Sequence, residues 1–93
     1  MFASIVTGQG SNPETGEQAI NYWKGLPPEK GYLRGYMLID RKTGSWVTFN
    51  LWETEADARA YGAGGEFQRD LQEAQKLGST GVTREVLEVV AEK

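Results

Sequence analysis

The chain contains no cysteine and no histidine. Without cysteine there is no thiol nucleophile, no thiolate metal site and no disulfide. Without histidine the chain lacks the commonest general base near neutral pH and the commonest transition-metal ligand. No metal site is therefore expected. Basic charge is also scarce, with ten Lys and Arg against thirteen Asp and Glu and a net charge of −3. The ten are scattered from Lys24 to Lys93 and form no stripe that could release phosphate counterions, so nucleic acid is not an expected partner. No apolar run approaches the roughly 20 residues of a membrane span, which sets the membrane aside as well. The opening MFASIVTGQ has no basic stretch before its apolar residues and reads as a first strand rather than a signal peptide. The lack of cysteine accords with a cytoplasmic location. Repeats, linkers and low-complexity tracts are absent too, and 93 residues make one domain, residues 1–93. A chain of that size can form a modest core without staples.

What the chain does have is an apolar hairpin. Tyr32–Asp40 and Ser45–Glu53 read as two strands joined by Arg41-Lys42-Thr43-Gly44, with Gly44 suited to the left-handed position of a short turn. Asp40 reads as the residue that caps the loop amides. By strict alternation Leu33, Met37 and Ile39 point one way, and Tyr32, Arg34, Tyr36 and Leu38 the other. Across from them Val47, Phe49 and Leu51 oppose Trp46 and Trp52. Apolar residues on both faces imply a sheet covered on both sides. The chain's own helices can cover only one.

The remaining elements follow from local signals. Phe2–Gly8 reads as the first strand and Gly8–Ser11 as a loop. Asn12-Pro13 opens a helix as cap and first residue, with Gly16, Ala19, Ile20 and Trp23 on one stripe, and Leu26-Pro27-Pro28 closes it. Thr54-Glu55-Ala56-Asp57 caps a second helix. Glycines 62, 64 and 65 weaken that helix, which resumes through Phe67, Leu71, Ala74 and Leu77 to Gly78. Gly78–Gly81 reads as a loop and Val82–Val90 as the last strand. The order is βαββαβ, an α+β, ferredoxin-like fold with one antiparallel four-stranded sheet and both helices on one face. Packing the bare face against a second copy would give a homodimer, a dimeric α/β barrel.

Three segments carry a resemblance: Gly31-Tyr32-Leu33-Arg34-Gly35-Tyr36, Leu38-Ile39-Asp40-Arg41-Lys42-Thr43-Gly44, and Leu51-Trp52-Glu53-Thr54-Glu55-Ala56. Together they resemble the small dimeric α/β-barrel proteins of the antibiotic-biosynthesis monooxygenase (ABM) superfamily. The DRxTG turn and the tryptophan just before the second helix are the most specific part. The resemblance implies the fold and the dimer. It also implies one of two activities: oxidation of phenols by dioxygen without a cofactor, or haem degradation through an asparagine, a tryptophan and a histidine ligand. Trp52 stands where that tryptophan would. Where the histidine would stand the chain has Tyr61-Gly62-Ala63, and the first strand offers Ser4 and Thr7 rather than an asparagine. No haem, and no cofactor of any kind, is expected.

Asn50 and Trp52 are two apart in a strand and share a face. If that face meets the helices, a cleft between the third strand and the second helix is expected, lined by Trp23, Asn50, Trp52, Tyr61 and Phe67 and gated by Gly62–Gly65. Aromatic walls with few polar groups suit a flat apolar or aromatic ligand. Two functions compete. In one, the protein is a cofactor-independent monooxygenase for a small phenolic or quinol-type molecule, with Asn50 orienting the substrate oxygen and Tyr61 exchanging its proton. In the other, it is a non-catalytic dimeric module that binds a small molecule. A cleft filled by side chains would remove both.

Overall fold

A computed structural model describes every residue except Ser11. The elements are β1 (Phe2–Gln9), α1 (Pro13–Lys24), β2 (Tyr32–Ile39), β3 (Ser45–Trp52), α2 (Glu55–Ala63), α3 (Gly65–Lys76) and β4 (Thr80–Glu88). The four strands form one antiparallel sheet in the order β2-β3-β1-β4. The split βαβ arrangement is present, with its second helix divided in two. The loop expected over Gly8–Ser11 is shorter, since Gly8 and Gln9 finish β1, and Ser11 lies outside the described residues. β4 begins at Thr80, two residues earlier than expected, and ends at Glu88. Among the described residues no helix is long and apolar enough to cross a membrane.

Short-range hydrogen bonds set the element boundaries. Asn12 Oδ1 accepts from the Thr15 N–H at 2.9 Å, and Pro13 opens α1 where no N–H is needed. Thr54 Oγ1 accepts from the Asp57 N–H at 3.1 Å and starts α2. In the hairpin, Asp40 Oδ1 accepts from the N–H groups of Lys42 (2.9 Å) and Thr43 (3.2 Å), and Gly44 has φ +81°. Asp40 is thus occupied by the turn. At Gly64 the backbone is extended (φ −83°, ψ −175°), which ends α2 and lets α3 leave in a new direction.

The structure corrects the faces of β2. Tyr32 pairs with Trp52, yet Arg34 pairs with Leu51, so Leu33 is an extra residue in a β-bulge. A one-residue slip reverses every side chain beyond it. Tyr32 therefore shares the helix side with Met37 rather than facing out beside Arg34 and Tyr36, and Leu33 is exposed. The helix side of the sheet carries Ser4, Val6, Thr48 and Trp52, all buried, and Ala58 of α2 is buried with them. The opposite side leaves Tyr36 and Leu38 each 54% exposed and Leu87 49% exposed. None of the chain's helices covers that side.

Candidate functional site

Between the helix side of the sheet and the helices lies a cavity of about 430 Å³. It falls within the size range of small-molecule pockets. Trp23, Asn50, Trp52, Tyr61 and Phe67 all line it. Its roof comes from α1 and α3 as much as from α2, so it is wider than a cleft between β3 and one helix. No residue of α1 is fully buried, because that helix spans open space rather than packing onto the sheet. Gly62–Gly65 are not among the lining residues, and the gate assigned to them is absent from the wall. A second hollow of about 350 Å³ adjoins at Met37, Trp46, Leu77 and Ser79.

Trp52 is the centre of the aromatic wall. It is 2% exposed, and its Nε1–H donates to Ser4 Oγ at 3.0 Å, so its polar edge is satisfied within the core. Tyr32 meets it edge-on at 5.4 Å between ring centroids, and Tyr61 lies against it, tilted, at 5.5 Å.

Three polar groups reach this wall. Tyr32 Oη donates to Asn50 Oδ1 at 3.2 Å, which fixes the amide and leaves its N–H₂ as a donor in the cavity lining. This bond occupies the space where a side chain at position 35 would begin: a Cβ on Gly35 would collide with Asn50 Oδ1 and Tyr32 Oη.

The second group centres on Asp70 of α3. Its Oδ2 accepts a hydrogen bond from Tyr61 Oη, and its Oδ1 accepts from Tyr22 Oη at 2.9 Å and Arg69 Nε at 3.1 Å. One carboxylate thereby joins α1, α2 and α3. Burial, and then the bond to Asp70 and its negative charge, push the Tyr61 phenol well above its ordinary range. Tyr22 is pushed up by the same causes, burial first, and Tyr32 by burial. Tyr61 therefore keeps its proton at neutral pH and directs it at Asp70. Its oxygen lone pairs remain able to accept.

The third group is Arg84 of β4. Its Nη2 donates to the Ala58 carbonyl at 2.7 Å, and its guanidinium carbon lies 5.9 Å from the Tyr61 ring centroid and 5.6 Å from that of Phe67.

Tyr22, Tyr32, Asp70 and Arg84 are site residues that the sequence reading did not single out. Tyr22 was hidden beside Trp23, and Tyr32 was placed on the wrong face. Asp70 is one helical turn from Phe67, so it shares that helix's inner stripe. Arg84 had a signal: it alternates with Val82 and Val86, which puts a charge in the middle of an apolar strand face. Among the described residues no group of three or more Asp and Glu side chains could hold a metal ion.

No protein-family profile matches the chain, and no curated protein matches it. Solved structures do. An antibiotic biosynthesis monooxygenase by name, from Deinococcus radiodurans, superposes with a TM-score of 0.78 at 14% identity over 100% of this chain and 96% of that one. The monooxygenase from gene ActVA-Orf6 of Streptomyces coelicolor, solved with nanaomycin D, gives 0.72 at 16% identity over 99% and 89%. SnoaB of Streptomyces nogalater, a cofactor-independent oxygenase, gives 0.60 at 19% identity over 98% and 92%. With sequences this far apart the likeness is one of architecture: the chain has the ferredoxin-like fold of the antibiotic biosynthesis monooxygenase structures.

Proposed function

We propose that the protein is a cofactor-independent monooxygenase acting on a small phenolic or quinol-type molecule. The observation that carries this reading is an aromatic-walled cavity in which a half-buried tyrosine donates its hydroxyl hydrogen bond to a carboxylate. A planar ring would stack on Trp52 beside Tyr32, and the Asn50 amide would hold its oxygen. The ligand hydroxyl would donate to Tyr61 Oη while the Tyr61 proton passes to Asp70. Tyr61 thus relays a proton rather than standing ready as a phenolate, and the ring is left as an anion that dioxygen can oxidise. For a phenol with a free para position the reaction closes without any other reductant. The O–H and para C–H bonds break, one dioxygen oxygen becomes the new C=O, and the other leaves as water with both hydrogens. The ring supplies all four electrons. The fold shared with a cofactor-independent oxygenase supports the reading by analogy.

The test is an oxygen electrode with α-naphthol and protein freed of metals by chelation. One naphthoquinone per dioxygen consumed would support the proposal. Naphthol that quenches the tryptophan fluorescence without oxygen uptake would leave the second reading, a non-catalytic small-molecule-binding module. The same tyrosine favours that alternative in one respect, since its proton is already committed to Asp70.

We also infer that the working unit is a homodimer. Tyr36, Leu38 and Leu87 are exposed on the open side of the sheet, with Ile5, Val47 and Phe49 half-buried among them. An apolar sheet centre of this extent, with Arg34 and Glu85 on the two edge strands, is rare on a soluble monomer. A second copy supplies an identical face, and a two-fold axis lets each cover the other.

A further inference from the structure

We propose that Arg84 is an anion-recognising residue and that the cavity takes an aromatic ligand carrying a carboxylate. This inference rests on the reading of the cavity as a ligand site and goes on to name the class of ligand. Three observations carry it. First, Arg84 lines the cavity and forms no ion pair with any described carboxylate; the acids lining the cavity are Glu29, Glu73 and Asp70, and Asp70 is held by Tyr22, Tyr61 and Arg69. Second, its one hydrogen bond, from Nη2 to the Ala58 carbonyl, uses a single N–H of the five a guanidinium offers. The others are not sealed off, because no buried side-chain nitrogen in the described structure lacks a partner. Third, the fork is held in place. The rings of Tyr61 and Phe67 flank it, and the chain has a glycine at 62, where a Cβ would collide with Nη1 and come within 3.0 Å of the guanidinium carbon.

A half-buried guanidinium without a carboxylate is costly unless an anion completes it. Burial, and to a smaller extent the nearby charge of Arg59, pushes the Arg84 guanidinium down from its ordinary range. A planar fork matches a carboxylate by two parallel hydrogen bonds, whereas a lone hydroxyl would use only one. The aromatic walls accept the ring of such a ligand.

Matched probes test this. Binding of naphthoate and of its neutral amide, naphthamide, is followed by tryptophan fluorescence in the wild type, Arg84→Gln and Arg84→Lys, with far-ultraviolet circular dichroism confirming the fold of each. The wild type should prefer naphthoate by about tenfold or more. Arg84→Gln should lose naphthoate affinity by on the order of 10–100-fold and keep naphthamide within about threefold, with Arg84→Lys between the two. Equal wild-type affinity for the two probes would overturn the inference. So would an Arg84→Gln variant that weakens both alike, which is the signature of a structural role only. If naphthamide binds and naphthoate is not preferred, the ligand site stands and the anion site fails. If neither probe binds the wild type, both fall together.

Discussion

Replacing Gly62 by alanine sets two physical effects against each other, and the structure decides which wins. Alanine is the better helix former by about 1 kcal/mol, so in an open helix the change would stabilise. Gly62 is not open. A Cβ there would collide with Arg84 Nη1, and the guanidinium would have to leave its slot between Tyr61 and Phe67. Leaving breaks its bond to the Ala58 carbonyl, about 1.5 kcal/mol for a half-buried charged donor. It also gives up two cation–aromatic contacts at about 0.5–1 kcal/mol each. With the guanidinium fully displaced the losses exceed the gain by up to about 1.5–2.5 kcal/mol, a Tm lowered by at most roughly 6–20 °C in a domain this small. Gly65 is the control. A Cβ there meets nothing within 4 Å, so Gly65→Ala should be neutral or raise the Tm slightly. Thermal unfolding by circular dichroism measures both variants. Once Arg84 is replaced by methionine, adding Gly62→Ala should turn stabilising, because the collision is gone. A Gly62→Ala single variant that melts above the wild type would refute the account of Arg84 as a held side chain.

The other predictions concern the proton relay, its pH signature, the core and the dimer. Tyr61→Phe and Asp70→Asn should each bind naphthol nearly as well as the wild type but lose most oxygen uptake; unchanged turnover would end the relay. Tyr61 binds its proton more tightly in the folded state than in the unfolded chain, where its pKa is near 10.0. Stability should therefore hold through neutral pH and fall as pH rises above about 10, less steeply in Tyr61→Phe; urea titrations across that range with equal slopes would contradict this. Trp52→Phe strips the partner from Ser4 Oγ, which is 1% exposed, and leaves a void, so chemical denaturation should show a loss of about 2–3 kcal/mol. Phe49→Asp puts a charge in the open sheet face and should convert a dimer into monomer in sedimentation equilibrium; a wild type that already sediments near 10.3 kDa at micromolar concentration would remove the dimer.

The parts of this protein that were readable from sequence are those whose physics is local. The Asp40 turn, the Asn12 and Thr54 caps and the helix break at Gly64 each depend on residues a few positions apart. Pattern alone also brought together the five aromatic and amide side chains of the cavity, because helical and strand periods are local properties too. Alternation failed at Leu33, since a bulge is a decision made by two strands: it places Tyr32 opposite Trp52 and within reach of Asn50, neither of which is near it in sequence. Asp70 and Arg84 were missed for the same reason, each owing its role to partners on other elements. The glycines show the limit most clearly. Gly62 read as a weak point of its helix, and Gly35 lies in a strand, where glycine is likewise costly. In the folded chain each leaves room for a polar group of the cavity, the Tyr32–Asn50 bond at one and the Arg84 guanidinium at the other. A glycine that looks wrong for its own element is thus a trace of a side chain belonging to another, and here both traces lead to the cavity's polar groups.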